Sequence, residues 1–374
     1  MERNSVCMKK RSWYRVVKNG AAWLCLAVCL CCAGESLRSW AAEDGTEALL
    51  FAAGMKAESG GEKQPKQEEK PGISSLENSF LTTGEELSLA DDGVVPFLDD
   101  VLPGAAATPD PERVSAPVEE ITLDGGTQID NFFVRDSTES GTDLNAELQE
   151  RPAVQLKGDG SVEILIYHTH TSEAYSRQYT GFYYTDMDTR TQNRDMSVVA
   201  AGEALKAELE ARGYGVVHDT TVNDTLFNGS YSRSWEVIQN NLAEYPGIQV
   251  TIDLHRDSMT TQEGLKYKPT AVINGRKAAQ IMLLAGCNAN GDWDDFPNWR
   301  DNLHLILRVQ QKAAELYPEL ARPLDFSTSK YNTNATTGSM LVEVGTEVNT
   351  VSEAKYSGKL LGEVLAETFD GLKE

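Results

Sequence analysis

The stretch of sequence that decides the fold reads Val162-Glu163-Ile164-Leu165-Ile166-Tyr167-His168-Thr169-His170-Thr171-Ser172-Glu173. Its first half is mostly branched and apolar, which is typical of a strand buried on both faces of a parallel sheet. The second half is polar and ends in the pattern His-x-x-Glu. In open α/β sheets, ligands bind beyond the carboxyl ends of the strands. We therefore expect a central strand here, followed by residues at a functional rim.

Helices and strands alternate along the rest of this region. The hydrophobic pattern predicts helices at residues 195–212, 232–245, 299–317 and 352–372, and strands at residues 215–218, 249–254, 281–285 and 340–344. Asn274-Gly275 between apolar runs predicts a β-hairpin. This alternation predicts an α/β fold, a three-layer sandwich with a mostly parallel sheet and helices on both faces.

Two more predicted strands end in polar side chains. Residues 249–254 lead into His255, Arg256 and Asp257, and residues 340–344 contain Glu343, followed by Gly345. Because the carboxyl ends of parallel strands share one edge of a sheet, three segments present histidine and carboxylate groups at the same rim. The chain has five histidines, and three of them fall at these strand ends. A shared site explains this better than unrelated core histidines.

The residue types at the rim favour a zinc site. Histidine nitrogens and carboxylate oxygens are zinc ligands, and a catalytic zinc keeps three protein ligands and one open position. His170, Glu173 and His255 form the predicted ligand set. Hydrolysis also needs a base that takes a proton from water and passes it to the leaving nitrogen, and we assign this role to Glu343. Asp195 could replace Glu173 as the acidic ligand.

Two other rim residues are predicted to bind substrate. His168 and His170 point to opposite faces if the strand remains extended, so we expect one ligand and one residue that orients the substrate. Arg256 is the second predicted substrate-binding residue, with a surface salt bridge to a neighbouring acid as its alternative. Glu347 could replace Glu343 as the base. We interpret His218 and His304 as ordinary surface or packing residues.

Cysteine positions exclude a sulfur-ligated metal site in the folded region. Five of the six cysteines lie in the first 32 residues, and only Cys287 lies in the body of the chain. A single cysteine supports neither a disulfide framework nor a Cys-x-x-Cys site.

Composition divides the chain into three parts. Residues 1–40 place several basic residues before an apolar run, which predicts a signal peptide or a membrane anchor with the rest of the chain outside the cytoplasm. Residues 41–116 are rich in Glu, Gly, Ser and Pro and predict an acidic disordered linker. Residues 117–374 form the predicted catalytic domain. The net charge of -23 makes nucleic acid an unsuitable partner.

The polar segments resemble those of the stage II sporulation protein P family of spore-forming bacteria. The matching segments are residues 164–173, His-Asp-Thr-Thr at 218–221, Tyr-Ser-Arg-Ser at 231–234, Asp-Leu-His-Arg-Asp at 253–257 and Leu-Val-Glu-Val-Gly at 341–345. They follow the family's order from about residue 121 to the C-terminus. The family in turn resembles the zinc-dependent N-acetylmuramoyl-L-alanine amidases, which are α/β sandwiches.

The resemblance implies a specific activity and setting. It implies hydrolysis of the bond between N-acetylmuramic acid and L-alanine in peptidoglycan, with a second activity on peptide cross-links. It also implies action outside the mother-cell membrane during engulfment, beside a lytic transglycosylase of the stage II sporulation protein D type. By motif it assigns zinc to His170, Glu173 and His255 and the base to Glu343. The broader amidases carry the acidic ligand farther downstream, near Asp195.

Two other functions remain open at this point. A zinc carboxypeptidase shares the His-x-x-Glu, late His and late Glu pattern, and it needs an arginine to bind the free carboxylate of its substrate. Arg256 is the only candidate for that role at the rim. A non-catalytic wall-binding module is the other alternative, and such a module needs no base beside a metal.

Overall fold

The computed structural model describes residues 107–373. The predictions for residues 1–40, and for residues 41–106 of the linker, lie outside this part of the chain. Twelve strands occupy β1 Ser115–Ile121, β2 Thr127–Ile129, β3 Phe132–Asp136, β4 Val162–Tyr167, β5 Phe182–Tyr184, β6 Gly215–His218, β7 Val250–Asp257, β8 Lys266–Ile273, β9 Arg276–Ala279, β10 Ile281–Gly286, β11 Leu324–Ser327 and β12 Gly338–Thr346. Five helices occupy α1 Leu144–Glu147, α2 Val198–Ala211, α3 Ser230–Glu244, α4 Trp299–Leu316 and α5 Val351–Leu372.

Eight strands form the main sheet, in the order β2-β3-β11-β10-β12-β7-β4-β6. Five of its neighbouring pairs are parallel, whereas β2–β3 and β10–β12 are antiparallel. The predicted α/β class is confirmed, and the sheet is mixed rather than uniformly parallel. β6, β4, β7 and β12 run in the same direction and place their carboxyl ends at one rim.

Alternate residues of β4 divide between two apolar layers. Ile164 and Ile166 join the large core, which also contains buried residues of α2, α4 and α5. Leu165 and Tyr167 pack instead with Ile238 of α3 on the opposite face. Burial of both faces explains why β4 reads as a continuous apolar run. The result is the predicted three-layer arrangement.

A smaller four-stranded sheet has the order β5-β1-β8-β9. β8 and β9 form the predicted hairpin, in which Ile273 pairs with Arg276. Asn274 and Gly275 have φ values of 51° and 77°, as a tight hairpin turn requires. The sequence predictions did not separate this sheet from the main one.

The ends of β7 and β12 are aligned so that their polar side chains share one face. Glu343 pairs with His255, and Leu341 pairs with Asp253. Gly345 has a φ of 62°, and the register shifts between Glu343 and Thr346. The bulge turns the backbone away directly after Glu343, as expected from its glycine. Among residues 107–373, no helix is both long enough and apolar enough to cross a membrane.

Candidate metal centre

Three predicted ligands meet at the rim of the main sheet. His170 and Glu173 lie in the turn that follows β4, and His255 lies near the end of β7. In the described part of the chain, they form a group whose ligand atoms all lie within 4.8 Å of one another. Glu173 lies in the same turn as His170, so the local backbone brings these two residues together. The pairing of β4 with β7 brings His255 to the same place.

The separations within this group fit one tetrahedral ion. His170 Nδ1 lies 3.5 Å from Glu173 Oε1, and His255 Nδ1 lies 3.5 Å from Glu173 Oε2. Two atoms that each lie about 2.0–2.2 Å from a tetrahedral zinc are separated by roughly 3.4 Å. The donor set is therefore compatible with zinc in both chemistry and spacing.

The second nitrogen of each histidine lies close to an oxygen of another residue. His255 Nε2 lies 2.9 Å from Asp253 Oδ1, and His170 Nε2 lies 3.2 Å from Ser230 Oγ. Asp253 also accepts hydrogen bonds from the amide and hydroxyl of Thr169. Contacts of this kind fix the orientation of metal-binding imidazoles. They leave both Nδ1 atoms facing the carboxylate of Glu173.

The electrostatics of the group suit a cation. Burial opposes the charge on His255, but Asp253 and Glu173 outweigh it and raise the pKa of the imidazole well above its usual range. Burial likewise opposes ionisation of Glu173, but the hydrogen bonds from His170 and His255 lower the pKa of this carboxyl well below its usual range. Glu173 also accepts a hydrogen bond from the backbone amide of Arg256. A buried negative charge is thus maintained beside the two imidazoles.

Glu343 lies beside this group on β12. Its Oε2 atom is buried and has no hydrogen-bond partner. Burial, followed by the nearby negative charge of Asp257, raises the pKa of Glu343 to about 8. A carboxyl whose pKa lies near neutrality can both accept and donate a proton, as general acid–base catalysis requires. The placement agrees with the predicted role of Glu343 as the base.

His168 does not join the cluster. It is fully buried, and its Nδ1 lies 2.7 Å from the carbonyl oxygen of Leu254 while its Nε2 lies 2.8 Å from His218 Nε2. His218 in turn contacts Glu203. This chain of contacts runs toward α2, away from His170. The geometry gives no support to the prediction that His168 binds substrate, and it gives His218 a more specific role in packing than expected.

Arg256 also points away from the rim. Its Nε donates to the carbonyl of Ala174, and its Nη2 donates to the carbonyl of Thr189. Its Nη1 donates to the carbonyl of Asp257. The guanidinium is buried and links the end of β7 to two positions that follow the ligand turn, Ala174 and Thr189. A substrate carboxylate would have to displace these backbone contacts, so the predicted role of Arg256 in substrate binding has no support here.

The alternative acids occupy other environments. Asp195 is exposed, in a short 3₁₀ turn at Arg194–Met196, and it does not belong to the candidate ligand group. Glu347 forms an ion pair with Lys266 and accepts a hydrogen bond from Ser258. Despite burial, Arg256 and Lys266 lower the pKa of Glu347. Glu173 and Glu343 therefore fit their predicted roles better than these alternatives.

Sequence reasoning assigned no role to Asp253 or Ser230. The contact between Asp253 and His255 could have been predicted from the sequence, because Asp253 lies two residues before His255 and thus on the same face of the strand. Ser230 begins α3, and nothing in the local sequence connects it to His170. The contact depends on how α3 packs over β4.

The fold and the site define an α/β protein with a candidate histidine–carboxylate metal site at the rim of its main sheet. Residues 107–366 match the family model of Stage II sporulation protein P (SpoIIP). The chain belongs to this family of sporulation proteins.

One curated relative and two solved structures illustrate the similarity. Stage II sporulation protein P of Bacillus subtilis (strain 168) is 27% identical over 233 residues, which are 59% of this chain and 54% of the relative. The match thus spans about half the length of the relative.

The N-acetylmuramoyl-L-alanine amidase AmiC2 of Nostoc punctiforme has a TM-score of 0.34 and 12% identity, over 57% of this chain and 97% of AmiC2. The CwlD amidase from Clostridioides difficile, solved with the GerS lipoprotein, has a TM-score of 0.33 and 10% identity, over 56% of this chain and 98% of CwlD. We draw no functional conclusion from these two structures.

Proposed function

We propose that this chain is a zinc-dependent N-acetylmuramoyl-L-alanine amidase that hydrolyses peptidoglycan during sporulation. The observation that carries the proposal is the convergence of two Nδ1 atoms and one carboxylate beside the unpartnered carboxyl of Glu343. Membership in the SpoIIP family supports the wall as the substrate. Cleavage of peptide cross-links is a second activity of the same site under this proposal.

His170, Glu173 and His255 would hold the zinc. Bound there, zinc supplies a Lewis acid that polarises the amide carbonyl and makes water more acidic. Glu343 takes a proton from the attacking water and delivers it to the nitrogen of L-alanine as the amide bond breaks. The raised pKa of Glu343 in the metal-free protein shows how far burial and Asp257 disfavour its charge. A nearby cation would offset this effect and favour the ionised form, which is the base.

Two observations favour an amidase over the alternatives. A carboxypeptidase must bind a free carboxylate, and the guanidinium of Arg256 is instead engaged by three backbone carbonyls. A non-catalytic wall-binding module has no use for a buried carboxyl without a hydrogen-bond partner, because such a group destabilises the fold. Proton exchange during catalysis would account for the oxygen of Glu343 that has no hydrogen-bond partner.

The proposed setting combines membrane attachment and a wall-degrading partner. Residues 1–40 would anchor the chain or direct its export, and residues 41–116 would let the catalytic domain reach the wall. A lytic transglycosylase of the stage II sporulation protein D type would cut glycan strands beside it. Of these segments, residues 107–116 are described and include the start of β1, whereas residues 1–106 lie outside the described part of the chain.

The experiment that tests the proposal measures zinc and turnover on the same samples of full-length protein. Glu343→Gln keeps the shape of the side chain but cannot accept the proton, so zinc content should persist while amide hydrolysis of purified peptidoglycan falls about 10²–10⁴-fold. Glu236→Gln, an exposed position on α3, is the matched control. Loss of zinc in Glu343→Gln would make this residue a ligand. Unchanged turnover would reject it as the base, and Glu347→Gln would then be measured.

A further inference from the structure

An exposed apolar patch lies next to the candidate metal centre. It belongs to the loop between β6 and α3, residues 219–229, where Leu226 is 71% exposed and Phe227 is 45% exposed. Val222 of the same loop is 36% exposed. Large apolar side chains grouped at a surface site commonly mark a binding surface.

Phe227 reaches the metal centre directly. Its ring is stacked on His170, with centroids 5.0 Å apart and an angle of 21° between the planes. Tyr231 extends the aromatic surface, because its ring centroid lies 5.8 Å from that of His170. A substrate that reaches an ion at His170 must therefore pass over or beside these rings.

The backbone that presents the patch is held rigidly although its side chains are exposed. Arg233 donates hydrogen bonds to the carbonyls of Asn223, Leu226 and Asn228. Asn223 Nδ2 donates to the carbonyl of His168, so the loop is also attached to the segment that carries His170.

Asp224 makes the second attachment of this loop. It is buried and accepts hydrogen bonds from the backbone amide and the hydroxyl of Ser172. It also forms an ion pair with Arg190. Ordering a loop on binding reduces affinity, and a loop that is already fixed avoids this cost. The patch therefore has the properties of a preformed platform.

The position of the patch relative to Glu343 indicates which side of the cleaved amide bond contacts the patch. Across the sheet, β12 with Glu343 is followed by β7 with His255 and then by β4, whose following turn carries His170. The loop with Phe227 lies beyond His170, because β6 borders β4 at the edge of the sheet. Glu343 and Phe227 therefore flank the metal centre from opposite sides, whereas Tyr231 lies between His170 and Tyr331. The leaving nitrogen must lie near the base, so the acyl half of the substrate extends toward the patch.

We propose that Phe227 and Leu226 form a subsite for the sugar of the glycan strand on the acyl side of the cleaved amide. This inference rests on the proposed amidase function and adds the direction in which the substrate lies. A pyranose ring presents a face of C–H groups that packs well on an aromatic ring. The stem peptide begins on the nitrogen side and is directed past Glu343.

The first test measures binding of peptide-free glycan strands to the zinc-loaded, full-length protein, so it does not depend on hydrolysis. Phe227→Ala should weaken this binding about three- to tenfold, because aromatic stacking contributes about 0.5–1.5 kcal/mol. Phe227→Tyr should retain it. Phe133→Ala is the matched control, because Phe133 is an exposed phenylalanine on β3, near the other edge of the sheet.

The second test separates binding from chemistry. On a muropeptide that contains the sugar, Phe227→Ala should raise KM with little change in kcat. On a small amide whose acyl group carries no sugar, Phe227→Ala should lower kcat/KM by a smaller factor than on the muropeptide, and zinc content measured on the same samples shows whether the stacking on His170 affects the metal instead.

The outcomes distinguish this subsite from the amidase proposal. Glycan binding that depends on Phe227 in a protein without amidase activity would support the subsite and reject the amidase. Equal glycan affinity of Phe227→Ala and wild type, or no glycan binding by the wild type, would overturn the subsite even if the protein is an active amidase. Loss of binding to another envelope protein, with glycan affinity unchanged, would assign the patch to protein docking instead.

Discussion

Asp253 contacts His255 of the candidate metal centre without belonging to the ligand group. Asp253 is buried. Burial opposes ionisation of its carboxyl, but His255 and Thr169 favour the ionised form, so the pKa of Asp253 is lowered. The carboxylate lies 2.9 Å from Nε2 of His255, while Nδ1 of the same ring lies 3.5 Å from Glu173. Loss of such a contact typically reduces metal affinity about 10–100-fold.

We therefore predict that Asp253→Asn weakens zinc binding by about one to two orders of magnitude. Competition with a chelator of known affinity measures the effect. Asp195→Asn is the control, because Asp195 is exposed and lies outside the candidate ligand group. If Asp195→Asn loses zinc while Glu173→Gln retains it, the acidic ligand is Asp195, as in the broader amidases.

Asp325 gives a prediction about stability and pH. It is buried on β11, and burial raises its pKa to about 6. Between about pH 4 and pH 6, the folded state holds a proton that the unfolded state has lost, so stability decreases as the pH rises through this window. Asp325→Asn cannot ionise. It should be more stable than the wild type at pH 8, by roughly 3 kcal/mol at most, and of similar stability below about pH 4.

Urea denaturation of the metal-free, full-length protein at several pH values checks this prediction. Asp292→Asn, at an exposed position, should follow the wild-type profile. An Asp325→Asn variant that is less stable than the wild type at pH 8 would show that the ionised carboxylate contributes favourable contacts.

The sequence was sufficient to predict that His170, Glu173 and His255 lie together, because each residue follows a recognisable apolar strand, and the structure places their ligand atoms within 4.8 Å of one another. The sequence was not sufficient to predict that the side chain of His168 is buried outside the ligand group. The side chain of His168 continues the face of Ile164 and Ile166, which is directed toward α2, and the backbone turns before His170. This alternation along β4 could have indicated the burial of His168. The contact between His168 and His218 could not be predicted, because it depends on the pairing of β4 with β6.

At the scale of elements, long apolar runs were predicted well and short edge strands were not. β4 and β6 have the predicted bounds, and the four predicted helices differ from prediction by a few residues at their ends, whereas α1 was not predicted. β2 and β5 have three residues each, which is too short for an alternating pattern to be recognised. The antiparallel pairing of β10 with β12 also escaped prediction. Strand direction depends on the path of the connecting segments rather than on the strand's own residues.

The first turn of α5 provides a prediction at this scale. Thr350 and Glu353 form a capping box, and Glu353 also pairs with Lys268, whose side chain is completely buried on β8. Removal of one member of a buried ion pair leaves an uncompensated charge and typically costs about 3–5 kcal/mol. Lys268→Ala should therefore destabilise the fold by about this amount in urea denaturation.

Two further variants identify the cause of this loss. The double variant Lys268→Met with Glu353→Gln removes both charges and should recover much of the stability. Lys277→Ala is the surface control, because Lys277 pairs with Glu120 but is 41% exposed, and exposed pairs contribute about 0–1 kcal/mol. A double variant that is no more stable than Lys268→Ala would assign the loss to packing rather than charge.

At the scale of the whole molecule, the family match and the first described strand both begin before residue 117. The family match starts at residue 107. β1 starts at Ser115, so the predicted domain boundary at residue 117 would remove the first two residues of this strand. Those residues pair with Tyr184 and Tyr183 of β5. The ion pair of Arg113 with Asp186 would also be lost.

We predict that a fragment of residues 107–374 folds, binds one zinc and hydrolyses soluble peptidoglycan fragments at the rate of the full-length protein. The physical reason is that the three ligands, Glu343 and the 219–229 loop are all held by contacts within residues 107–373. A fragment of residues 117–374 should be less stable, because it loses the edge pairing of β1 with β5, but its zinc content should be unchanged. Intact peptidoglycan sacculi provide the complementary measurement, because tethering affects access to an insoluble wall and not the chemistry. If residues 107–374 fold and bind zinc but do not hydrolyse soluble fragments, residues 1–106 contribute to catalysis and are more than a tether.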